Sequence, residues 1–274
     1  MKRRGLNRGE LTQGRTLGAA SPGWTGLQNH RLYGRAHLDV STAARDPMRI
    51  AILTTCTEAG SADRWRDLLA SKRPHWDFVS YHVPNDEFPP RPQRFDGWIV
   101  TGSPQAERQH APWQTRLKML VADIAASRKP MFGAGSGHQL VTVALGGKVG
   151  PNPDGPALGA IEVEACARPP WMEARRFWQY GHHADQVTTP PPNAQIALRA
   201  DHCPIAGLII GDHIFTTQNH PEMTHEFIAE LIETLAPRLP DKVIDRARAS
   251  LPLSADNGLF SDCILRFFEH DRSA

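Results

Sequence analysis

The segment Met131-Phe132-Gly133-Ala134-Gly135-Ser136-Gly137-His138-Gln139 has the spacing of a turn built to present a nucleophile, yet its apex is glycine. A nucleophile elbow reads Gly-x-nucleophile-x-Gly, because its flanks must be small for a sharp, strained turn to sit at a helix N-terminus. Gly133 and Gly137 are those flanks, so Gly135 holds the central place. Ser136 does not fit by spacing, since Ala134 and His138 stand two residues to either side of it. Glycine tolerates the strained backbone and contributes no chemistry.

Other readings of the glycine-rich turn fail on their residues. A dinucleotide fingerprint needs glycine where His138 stands, and a phosphate loop needs a Gly-Lys-Ser/Thr ending that is absent. Among thirteen histidines, His182, His183 and His220 could converge with Asp185 and Glu222 on a zinc ion. No His-Glu-x-x-His or Cys-x-x-Cys pair is present to fix such a geometry, so no metal and no cofactor is expected.

Six stretches carry a family resemblance over about residues 48–235. The elbow resembles the Gly-Ile-Cys-Phe-Gly-His-Gln pattern of class I glutamine amidotransferases, and Gln218-Asn219-His220-Pro221-Glu222 resembles that family's Gln-Phe-His-Pro-Glu. Asp96-Gly97-Trp98-Ile99-Val100-Thr101-Gly102-Ser103-Pro104 is similar to the strand and turn that help form its oxyanion hole. Trp113 with Leu117 resembles the start of the next helix. His182-His183-Ala184-Asp185-Gln186-Val187 is similar to the stretch beside the glutamine pocket, and Asp201-His202-Cys203-Pro204 to the turn after it. The chain looks most like the stand-alone members, which carry no fused synthetase.

The resemblance implies a Cys-His-Glu triad in which His220 is the general base, Glu222 its orienting carboxylate, and Gly135 the vacant nucleophile position. It also implies that Gly102, Ser103, Ser136, Gln139 and His183 shape a pocket for glutamine or a γ-glutamyl group. In the family a thiolate attacks the side-chain amide, backbone N–H groups stabilise the oxyanion, and the histidine passes a proton to departing ammonia. Without sulfur no thioester forms, so the expected protein is a catalytically impaired binding or regulatory module. Two alternatives stand beside it. One is an active glutaminase or γ-glutamyl hydrolase that uses Ser136, Cys56 or activated water. The other is a non-catalytic subunit of a synthetase complex. Against Ser136, one step along a helix start turns a side chain by about 100°, and its plain role is a helix N-cap. Cys56 reads as a small buried thiol, while Cys166, Cys203 and Cys263 show no pairing or metal spacing.

The elements that must position these residues alternate as in an open α/β sheet. Strands are expected near 49–54, 77–82, 96–101 and 130–134, with helices near 62–71 and 113–128. Strand-rich sequence returns at 159–165, 195–200, 205–210 and 213–217, before a helix near 223–236. The expectation is a three-layer α/β/α sandwich with the flavodoxin-like open sheet of the family. Residues 241–274 read as a helical appendix packed on the 48–240 domain, with two helical stretches around Asn257-Gly258.

Composition sets the frame. A chain of 274 residues with 40% hydrophobic content can bury one good-sized core, and no segment has the apolar length to span a bilayer. Four scattered cysteines point to a reducing compartment, by default the cytoplasm. The net charge of +2 divides into +5 over residues 1–47 and −3 over the rest. Residues 1–47 lack an apolar period and read as a disordered extension or a mis-assigned start ahead of Met48. Their eight Lys or Arg are too spread to form a nucleic-acid patch.

Overall fold

In a computed structural model of the chain, the described residues are 47–56, 60–102 and 111–270, and they belong to one compact unit. Residues 1–46, 57–59, 103–110 and 271–274 lie outside them, and with them the expectations for Ser103, Pro104 and the basic extension.

Short, largely apolar runs lie side by side as parallel strands. These are β1 (Arg49–Thr54), β2 (Asp77–His82), β3 (Gly97–Thr101) and β4 (Met131–Ala134), joined by β11 (Ile214–Thr217). The remaining strands are β5 (Lys148–Pro151), β6 (Ala157–Ala165), β7 (Arg176–His183), β8 (Asp185–Thr189), β9 (Ala194–Ala200) and β10 (Cys203–Ile210). Among the described residues the main sheet runs β2-β1-β3-β4-β11-β10-β9-β6-β7, parallel as far as β11 and antiparallel beyond it, while β5 and β8 form a separate ribbon.

The pleat sends alternate side chains into two apolar layers. On one face Ile50, Ile52, Ile99, Phe132 and Phe215 meet Trp65 and Leu69 of α1 (Ser61–Ala70) and Phe260, Ile264, Phe267 and Phe268 of the last helix. On the other, Ala51, Leu53, Trp98, Val100, Met131 and Ile214 meet Leu117, Val121 and Ile124 of α2 (Pro112–Ala126) and Leu140 and Val141 of α3 (Ser136–Ala144). A third cluster joins α4 (His225–Leu235) and α5 (Asp241–Ser250) to Leu158 and Tyr180. The fold is a three-layer α/β/α sandwich.

Three strands depart from the expected pattern. Lys148–Pro151 carries Gly150 and Pro151, weak strand formers, and β8 is only five residues long. The polar Gln179 and His183 in β7 mask its alternation, although both are buried. The helical break also falls earlier than Asn257-Gly258. It lies after Ser250, where Pro252 cannot continue a helix, and Asn257 opens α6 (Asn257–His270) with its Nδ2 donating to the Met223 carbonyl at 2.6 Å.

Helix α3 is pressed onto β3 at one point. A Cβ built on Gly137 would lie 1.8 Å from the Val100 carbonyl oxygen, a backbone atom that cannot turn aside. Gly137→Ala is therefore expected to lower stability by at least about 2 kcal/mol through backbone displacement. A urea midpoint unchanged from the parent would contradict this close approach.

Candidate active site

Strand β4 ends at Ala134 and α3 begins at Ser136, so a single residue makes the turn. Gly135 adopts φ 57° and ψ −120°, a conformation that strains any residue bearing a Cβ. Its N–H donates to the Thr217 carbonyl at 3.0 Å, and its own carbonyl accepts from His138 N–H at 3.1 Å. The backbone thus has the geometry of a nucleophile elbow with no nucleophile on it.

His220 stands directly over this turn. Its backbone N–H donates to the Tyr180 carbonyl at 2.8 Å, tying the segment after β11 to β7. Its Nδ1 lies 2.8 Å from Glu222 Oε1, with both side chains buried, so the carboxylate fixes the ring's orientation and leaves Nε2 turned toward Gly135. A Cβ on Gly135 would lie 2.2 Å from His220 Cε1 and 2.5 Å from Nε2. The imidazole therefore occupies the space that a side chain at position 135 would need. Glu222 Oε2 is buried without a hydrogen-bond partner.

Ser136 is the first residue of α3 and not its N-cap; Gly135 takes that position with no side-chain cap, because the sharp turn places the cap at the glycine. The Ser136 Oγ is buried, has no hydrogen-bond partner, and so makes no bond to His220. Gln139 is also buried, its Nε2 donating to the Asp185 carbonyl at 2.8 Å and to Gln218 Oε1 at 3.1 Å. These bonds link α3 to β8 and to the residue after β11. Gly102 follows β3, where a Cβ would come within 1.8 Å of Thr55 Oγ1. Thr55 is not marked out by its sequence, and only this long-range contact reveals it.

His183 shares the neighbourhood without touching the elbow, its Nδ1 bonding the Asp185 carbonyl at 3.0 Å. Burial pushes its pKa down to about 4, with nearby His220 acting in the same direction. Half-buried His182 is lowered to about 4 by the same causes. His138 is lowered to about 3, chiefly by burial, between Thr216 Oγ1 at 2.8 Å and the Ile205 carbonyl at 3.2 Å. These rings are neutral at physiological pH. His182, His183, Asp185, His220 and Glu222 do not gather as ligands; among the described residues no group of three or more His, Cys, Asp or Glu is disposed to hold a metal ion.

All four cysteines are free. Cys56 is half-buried at the end of β1 rather than fully buried, because the chain leaves the sheet there, and its N–H donates to Thr54 Oγ1 at 3.1 Å. Burial pushes the Cys203 and Cys263 thiols up to about 12, and Cys166 is exposed with its pKa raised. No helix among the described residues is long and apolar enough to cross a membrane.

A strand, a strained glycine turn and a buried histidine–glutamate pair at the next strand end are thus brought together. The family model for glutamine amidotransferase class-I matches residues 71–233, and the chain belongs to that family. It is 26% identical over 187 residues to gamma-glutamyl peptidase 2 of Arabidopsis thaliana, covering 64% of this chain and 74% of that protein. It is 30% identical over 152 residues to a glutamine-hydrolyzing GMP synthase subunit from Methanothrix thermoacetophila, covering 54% of this chain and 79% of the relative. A crystal structure of a glutamine amidotransferase from Thermotoga maritima superposes with a TM-score of 0.67 at 19% identity, over 82% of this chain and all of the other, and shares the fold.

The depressed histidines give a pH dependence of definite sign. Buried His138 and His183 bind no proton in the folded chain until pH falls to about 3 and about 4, whereas the unfolded chain binds one near the ordinary 6.5. Their contribution is fully present above pH 6.5 and lost as pH falls below it, by up to about 1.4 kcal/mol per pH unit for each ring. Urea midpoints at about pH 7.5, 6 and 5 should fall steadily. A constant midpoint would mean that these rings titrate normally.

Proposed function

We propose that this chain is an amidotransferase-like module that binds glutamine or a γ-glutamyl small molecule without forming a thioester. The observation that carries this reading is the glycine at the elbow apex with the His220 imidazole seated in the space of the missing side chain. The base and its carboxylate are in place, but there is nothing for the base to deprotonate. Loss of a triad nucleophile leaves roughly 10³- to 10⁴-fold catalysis over water from the remaining groups, far short of an enzymic rate. Substitution by Ser136 is disfavoured because its hydroxyl makes no bond to His220.

The similarity to a relative named as one subunit of a GMP synthase favours a second reading, in which the module associates with a synthetase. Co-purification with a synthetase would support it, and the two readings are compatible.

Ammonia release from glutamine and from a γ-glutamyl peptide tests the first reading. The unmodified chain should release none above the buffer blank, whereas Gly135→Cys should gain release once the imidazole tip moves aside. Turnover by the unmodified chain would refute the proposal. Silence in both would mean that a sulfur at position 135 does not restore the site, and direct titration with glutamine then separates a pocket that rejects the amide from an imidazole that does not yield.

A further inference from the structure

A small cleft opens at the C-terminal edge of β1 and β3, where the strand order reverses direction, the place in an open α/β sheet at which ligands collect. It measures about 130 Å³, and its lining includes Thr55, Trp113, Lys118, Gln139, Leu140 and Val143. Gln139 lies one helical turn beyond Gly135, so one residue of the cleft's inner wall stands on the same helix face as the elbow. The other walls belong to α2 and to the loop after β1.

The chemistry of this lining is one-sided. Among the described residues of the lining Lys118 is the one cation and no Asp or Glu is present, and Lys118 makes no ion pair with another described residue. Thr55 is 4% exposed, and its hydroxyl has no hydrogen-bond partner. Trp113, Leu140 and Val143 supply an apolar wall. A cation and an unsatisfied hydroxyl beside an apolar wall suit a small group that ends in an anion.

We propose that this cleft receives the residue attached to the γ-glutamyl group of a γ-glutamyl dipeptide, with the Lys118 ammonium meeting its free carboxylate. The inference rests on the reading of the Gly135–His220 site as a γ-glutamyl pocket and adds a specificity to it. A cavity of roughly 150 Å³ holds a molecule the size of benzene, so the 130 Å³ of this cleft has room for a residue the size of glycine or alanine. Lys118 is thus a specificity residue that tells a dipeptide from an amide of equal length.

Calorimetric titration of the full chain with three probes tests this. L-Glutamine reports on the γ-glutamyl pocket alone, and γ-glutamylglycine and γ-glutamylethylamide differ by the carboxylate. The chain should bind γ-glutamylglycine about fivefold more tightly than the ethylamide, the size expected of a single solvent-accessible ion pair. Lys118→Ala should abolish that preference, and Lys118→Arg should keep most of it. Equal affinity for the two probes, or a preference that survives Lys118→Ala, would overturn the assignment while glutamine binding leaves the underlying reading intact. Failure of all three probes to bind would overturn both.

Discussion

The site depends on one steric constraint: the turn between β4 and α3 has room for backbone and for little else. Gly137 lets α3 come down on the Val100 carbonyl, and Gly135 makes the reversal with a positive φ. The space above Gly135 is filled by the imidazole of His220. That ring is fixed from two other directions, by Glu222 through Nδ1 and by Tyr180 through its backbone. A side chain at position 135 and this seat for His220 cannot coexist. The glycine and the histidine are one structural unit, though 85 residues of chain separate them.

The same packing draws several polar side chains into contact across the site. Gln139 bonds Asp185 and Gln218, Thr217 bonds Gln179, and His183 bonds the Asp185 carbonyl, so α3, β7, β8 and β11 are tied together behind the elbow. Burial keeps His138, His182 and His183 neutral, which avoids a cluster of like charges around His220.

Much of this is legible in the sequence. The parallel strands announce themselves because strands buried on both faces read as apolar runs such as Ile50-Ala51-Ile52-Leu53 and Trp98-Ile99-Val100. The sharp turn at Gly135 is legible from the spacing of Gly133 and Gly137. What stays hidden depends on contacts between distant residues. Strand β7 is obscured because its buried Gln179 and His183 look like surface residues until their partners are known. The role of Thr55 beneath Gly102, and the seating of His220 over Gly135, follow from packing between strand ends and have no local signal.

The most direct test of the vacant elbow is peptide mapping of the chain after prolonged exposure to a diazoketone analogue of glutamine, which alkylates whatever nucleophile the pocket presents. Peptide mapping should find no adduct on Ser136 or Cys56, because the elbow apex carries no side chain and the Ser136 hydroxyl makes no bond to His220. A stoichiometric adduct mapped to Ser136 or Cys56 would contradict the vacancy and identify a working replacement for the missing cysteine.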